Sequence, residues 1–163
     1  MESNQESKKS TSKKHYAKFG LMMLTSFIAM YLLMFINMDQ IDHFSITFTR
    51  IYMATCMIAV MAVIMLLYML NMYKNKKMNT FILTVSAVVF FGFLAMLRNQ
   101  TFISDVQWMR GMIPHHSSAI MTSQMAHIED AEAKKLAKEI IEAQKREIAE
   151  MRKIIYRLEN RED

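Results

Sequence analysis

Between Trp108 and His127 the chain places four methionines (Met109, Met112, Met121 and Met125), three histidines (His115, His116 and His127) and its only proline, Pro114. Thioether sulfur favours Cu(I) over Mg, Ca or Zn, and imidazole accepts both copper oxidation states, so a site built from the two would select copper. Methionine has no proton to lose, and such a site survives acid better than a thiolate site. Thiolate is not on offer here: the single cysteine, Cys56, lies far upstream in a long uncharged run. Adjacent histidines also cap helices or hydrogen-bond in polar seams, so the residue types alone leave both readings open.

A second group of donors stands about thirty residues later. Ala131 to Leu158 is rich in Ala, Glu, Lys, Arg and Leu, which predicts a long helix. On it Leu136, Ile140, Ala143, Glu147, Met151, Ile154 and Leu158 form one stripe, with Gln144 beside it. A carboxylate within an apolar face requires a partner: a cation such as Arg110 or Arg146, a hydrogen-bond donor, or a metal. At ~100° per residue, Met109, Met112, His116, Ser123 and His127 share one sector of the preceding helix, provided that helix continues through Pro114. Folding the two helices into a hairpin then carries Met112, His115 and His116 toward Glu147.

The elements that must do this have visible ends. "ISDVQ" sets Ser104 as an N-cap with Gln107 three positions on. Pro114 removes one backbone donor and either kinks the helix or opens a new one. "HIEDAEA" is the turn, with Asp130 as the cap of the second helix.

"MRGMIPHHSSAI" followed by "AKEIIEAQKREIAEM" resembles the DUF305 family, a ferritin-like helical domain of exported and membrane-anchored bacterial proteins, some of which bind copper. The resemblance covers about Asp105 to Ile155 and rests on "MIPHH" paired with "EIxxM". It implies a copper-binding or copper-tolerance role, with His115, His116, Glu147 and Met151 on matching positions and Met112 just before the pair. Met125 joins this implied ligand set as a later methionine of the same segment. The chain departs from the family at Thr122, where many soluble members carry methionine; Met121, one residue earlier, points ~100° away. Soluble members carry the motif pair twice, whereas this chain has one copy, which implies a homodimer or higher homo-oligomer.

Upstream, three uncharged runs cover Phe19 to Met38, Ile51 to Tyr73 and Met78 to Leu97. Each approaches the ~20 residues needed to cross a hydrocarbon core of ~30 Å, so three transmembrane helices are predicted. The first run is longer than the ~7–15-residue core of a signal peptide, and "MFINMDQ" offers no small-residue cleavage site, so it reads as a retained anchor. Five lysines precede it and three stand in "NMYKNKKMN", while "MDQIDHFSITFTR" has two aspartates and one arginine. By the positive-inside rule the N-terminus and the second loop are cytoplasmic, and the segment after Leu97 lies outside the plasma membrane.

The expected organisation is all-α: a disordered basic cytoplasmic tail over 1–16, a three-helix transmembrane region over 17–97, and an extracytoplasmic helical hairpin, a ferritin-like half-bundle, over 98–163. The last segment has eleven basic and eleven acidic residues, so the positive excess of the chain belongs to the cytoplasmic side. That charge meets anionic membrane lipid and gives no ground for nucleic-acid binding. With 66 residues and two helices the outer segment has no closed core of its own, a second reason to expect dimerisation or packing on the membrane helices.

Enzyme signatures are missing. No histidine has an acid three positions before it, as di-iron bundles need, and neither H-E-x-x-H nor Gly-x-Ser-x-Gly occurs. Met53, Met57, Met61, Met65 and Met69 recur every four residues in the second span, a spacing that suggests a thioether ladder for copper. Steps of four drift ~40° each, so the five smear over ~160° and read as packing. The sequence thus points to a membrane-anchored, non-enzymatic protein that binds or buffers Cu(I) and meets a copper-handling partner. Its alternative is an interaction module of the cell envelope that dimerises through its hairpin without metal.

Overall fold

The structure, a computed structural model, describes residues 2–160, with side chains described from Lys14 onward. Among the described residues there are five α-helices, one short 3-10 turn and no strand. They are α1 (Glu2–Leu33), α2 (Phe48–Tyr68), α3 (Lys76–Arg98), α4 (Asp105–Met125) and α5 (Ala131–Glu159), with the 3-10 turn at Ile41–His43. The chain divides into two compact units, one formed by residues 1–31 and 51–101, the other by 32–50 and 102–163.

In the first unit Lys14–Leu33, Phe48–Tyr68 and Lys76–Arg98 are each long and apolar enough to cross a membrane. The first ends at Leu33, five residues before the uncharged run does, because Phe35 and Ile36 donate to the carbonyls three residues back and tighten the chain into a turn. Asn75 caps α3 by accepting the Met78 N–H at 3.2 Å. Phe19, Met23, Ala62, Leu66 and Tyr73 form a buried cluster against which Met61, Met65 and Met69 pack. Met53 and Met57 are exposed instead, as the drift of a four-residue repeat requires. Tyr16 donates to Asn79 Oδ1 at 2.7 Å, and Asn79 Nδ2 donates to the Tyr73 carbonyl at 2.6 Å, so the polar groups at this end are paired.

The disordered tail expected over 1–16 falls mostly on residues whose side chains lie outside the description. The backbone of α1 is helical from Glu2, and no glycine or proline interrupts residues 2–19.

The second unit contains α4 and α5. Ser104 Oγ accepts the Gln107 N–H at 3.3 Å and Asp130 Oδ1 accepts the Ala133 N–H at 2.7 Å, so both caps act as their sequence positions predict. The two helices pack through Met109, Ile113 and Ile120 on α4 and Ile148 and Met151 on α5, each contributing about 1.5–3 kcal/mol by burial. Ile141, Ile154, Ile155 and Leu158 flank that core.

The buried stripe differs from the one read from sequence. On α5 it follows Ala137, Ile141, Ile148, Met151, Ile155 and Leu158, steps of three, four and seven that keep a repeat of ~3.5 residues. Leu136 is therefore 56% exposed, and Glu147 lies at the rim of the face instead of its centre. On α4 the stripe runs Met109, Ile113, His116, Ile120; Ser123 is only partly buried, and His127 lies exposed beyond the helix.

Helix α4 passes through Pro114 without a break. Proline has no N–H, so the carbonyl four residues back, that of Arg110, loses its helical donor. The Ser45 hydroxyl supplies the replacement by donating to the Arg110 carbonyl. The loop between α1 and α2 thus repairs the helix from outside.

Candidate functional site

His116 is the most buried titratable side chain on α4, at 8% exposure. Its ring is oriented by the neighbouring helix: Nε2 donates to Glu147 Oε2 at 2.7 Å. In a neutral imidazole held this way, the proton sits on Nε2 and Nδ1 keeps its lone pair. That Nδ1 is buried and has no hydrogen-bond partner. An orphaned buried acceptor costs about 1–3 kcal/mol, so it calls for a physical reason.

The surroundings are soft. His116 and Glu147 line a cleft of about 370 Å3 together with Trp108, Met109, Met112, Glu150, Met151 and Ile154. Three thioethers therefore share the cleft with an imidazole, and Met109 and Met151 are themselves buried. Glu147 is half-exposed, with one oxygen on the imidazole.

Of the residues singled out by sequence, the fold gathers Met112, His116, Glu147 and Met151 around this cleft. It does not bring His115 and Met125 there. His115 is exposed, with its ring 6.2 Å from that of His116, and Met125 is 76% exposed at the end of α4. Arg110 pairs with Glu159 at 2.5 Å, and Glu147 pairs with His116 rather than with either arginine expected from the sequence. His127 stands 3.6 Å from Glu129 at the surface. Among the described residues no three His, Cys, Asp or Glu side chains form a group that could hold a metal ion.

Sequence reasoning missed a second constellation, where the α1–α2 loop meets α4 and α5. Ser117, fully buried, accepts the Asp39 N–H at 2.8 Å, and its Oγ lies 2.7 Å from His43 Nδ1. Asn37 donates to Ser118 Oγ at 2.6 Å, and Arg152 donates to Asp42 Oδ2 at 2.6 Å. The Arg152 hydrogen bond holds the Asp42 carboxyl below its usual range. Burial pushes His43 below its usual value, against the raising fields of Asp42 and Asp39. Ser117, His43 and Asp42 are the residue types of a hydrolytic triad, yet the geometry is structural. Ser117 is closed to any substrate, its oxygen already accepts a backbone N–H, and His43 Nε2 is 4.0 Å from Asp42.

Only one signal of this docking was present in the sequence: Pro114 demanded a donor from elsewhere for the Arg110 carbonyl. Nothing local identified Ser45 as that donor.

A family model described as "Domain of unknown function (DUF305)" matches residues 94–159, which contain all of α4 and α5 and every residue of the cleft. The chain is also 32% identical, over 138 residues, to "Uncharacterized protein L153" of Acanthamoeba polyphaga mimivirus. That alignment covers 83% of this chain and 89% of the relative, so the likeness extends beyond the matched segment into the apolar helices. No solved structure matches the chain.

Proposed function

This chain belongs to the DUF305 family, and on that premise we propose that it is a membrane-anchored protein that binds or buffers Cu(I) outside the membrane. The observation that carries the reading is His116 Nδ1, a buried nitrogen without a hydrogen-bond partner on a residue that lines a cleft with Met109, Met112 and Met151. One imidazole with thioethers suits a soft monovalent ion that accepts low coordination, and of the two carboxylates in the cleft, Glu147 is engaged with the His116 ring. In this reading His116 and the sulfurs of Met112, Met109 and Met151 hold the ion. Glu147 fixes the ring, as carboxylates behind metal-bound histidines do. His115 and Met125 lie outside this set.

The N-terminus and the α2–α3 loop are cytoplasmic in this reading, and the helical hairpin of α4 and α5 is extracytoplasmic. Lys74 in the α2–α3 loop and Lys76 and Lys77 at the start of α3 support the orientation. Three crossings oblige the α1–α2 loop and everything after Arg98 to emerge on one face. Consistent with that, residues 32–50 and 102–163 pack as a single unit.

The test is anaerobic titration of the full chain in detergent with Cu(I), against a chelator strong enough to strip scattered surface thioethers, of which 19 methionines offer many. The expected result is a competitive site that His116→Ala or Met151→Leu abolishes and His115→Ala leaves intact. Equal copper retention by wild type and His116→Ala would overturn the proposal.

A second reading, a metal-free module that dimerises through its hairpin, draws on Trp108, Leu136 and Tyr156, all large and more than half exposed. It predicts that His116→Ala alters oligomeric state by light scattering. Copper loss with unchanged mass rejects it.

A further inference from the structure

The α1–α2 loop does more than connect two helices. Between Asn37 and Ser45 it makes four kinds of contact with α4 and α5: Asn37 with Ser118, Asp39 and His43 with Ser117, Asp42 with Arg152, and Ser45 with the Arg110 carbonyl. At its centre is a buried hydrogen-bond relay. The Asp39 N–H donates to Ser117 Oγ, which leaves the serine hydrogen to donate to His43 Nδ1, and His43 is 5% exposed. This arrangement needs a neutral imidazole with its proton on Nε2, the nitrogen that faces Asp42.

We propose that residues 37–45 form a strap over α4 and α5 that is released in acid, with His43 as the group that takes the proton.

A proton on Nδ1 turns that nitrogen from acceptor to donor. Ser117 Oγ then faces two donors, the Asp39 N–H and the His43 Nδ1–H, and its own hydrogen must turn away inside a fully buried site. The protonated ring is also a cation with almost no access to water. The charges around it do not rescue it equally. From its own loop His43 faces the carboxylates of Asp42 and Asp39; from α5 it faces Arg152 and Lys145, which line the adjoining cleft; from α4 it meets the uncharged Ser117 and Ile120. Asp42 is already committed to Arg152. The direction of the His43 shift, below its usual value by burial, agrees with the geometry.

The consequence is a sign that can be checked. The unfastened strap binds the proton at the ordinary histidine value and the fastened one binds it only at lower pH, so closure weakens as pH falls below about 6.5. Release would expose the Ser117 face of α4, one residue from His116, and withdraw the Ser45 donor from the Arg110 carbonyl.

The experiment is amide hydrogen exchange of the full chain in detergent, with a chelator present, read at the Asp39 N–H between about pH 7.5 and about pH 5, the window in which histidine titrates. After correction for the intrinsic pH dependence of exchange, protection at Asp39 is expected to be lost on acidification. His43→Asn presents an amide oxygen near the position of Nδ1 and cannot titrate, so its protection should not change with pH. As a measurement independent of any variant, ring labelling of histidine follows His43 itself, and its protonation midpoint should coincide with the loss of protection. The proposal is overturned if wild-type protection holds across the range, if His43→Asn loses it as wild type does, or if the two midpoints differ.

Discussion

His116 and Glu147 divide one task between them. The carboxylate accepts from Nε2 at 2.7 Å and is half-exposed, while Nδ1 is buried and unbonded on a residue that shares its cleft with three methionines. If Glu147 orients the ring and does not itself hold metal, the charge should matter less than the oxygen. Glu147→Gln keeps an acceptor for the Nε2 proton, so its Cu(I) affinity should stay near that of wild type. Glu147→Leu removes the acceptor and should lower affinity by about 10- to 100-fold, the usual cost of losing a group behind a metal-bound histidine. Competition titration with a Cu(I) chelator measures both; equal losses in the two variants would make the carboxylate a direct ligand. At this scale the sequence was legible wherever a motif fixed spacing. His116, Glu147, Met112 and Met151 meet because "MIPHH" and "EIAEM" lie on two helices closed by a short turn. His115 and Met125 carried the same chemistry, but helix phase turned them to solvent.

Helix boundaries were legible to within a residue at Ser104 and Asp130, because capping is decided by side chains within the same turn. The buried face of α5 was harder to read. A stripe drawn through Glu147 and one drawn through Ile148 differ by a single residue, and only the packing of α4 selects the second. The continuity of α4 through Pro114 depends on a residue far away in sequence, which no local pattern carries. Ser45→Ala should therefore leave the Arg110 carbonyl without its replacement donor and destabilise the unit by about 1–3 kcal/mol. Pro114→Ala restores an N–H to the helix ladder, and in that background Ser45→Ala should cost markedly less. Chemical unfolding of the four proteins of this double-mutant cycle measures the coupling. Additive losses would show that the serine hydroxyl acts independently of the proline.

Three helices are long and apolar enough to cross a membrane, and two segments that flank the second and third of them in sequence fold as one unit. The number of apolar helices was plain from sequence because hydropathy needs only composition over about twenty residues. The docking of the α1–α2 loop was not, because its contacts are single polar groups spread across residues 37–45. The proposed orientation follows from lysine placement, and the shared unit adds a constraint that charge counting does not contain: Gln40 and Gln124 belong to one unit and are expected on one side, with Lys76 on the other under the proposed topology. Single cysteines test this in a Cys56→Ala background, since Cys56 is buried in α2 and its removal leaves no competing thiol. Gln40 and Gln124 are exposed, as is Lys76, so each position can accept a reagent. Gln40→Cys and Gln124→Cys should react with a membrane-impermeant maleimide in intact cells. Lys76→Cys should react only after permeabilisation. The reverse pattern would keep the common face and invert the orientation. Labelling of Gln40→Cys and Gln124→Cys from opposite sides would contradict the single unit itself, and with it both the proline repair by Ser45 and the strap over α4.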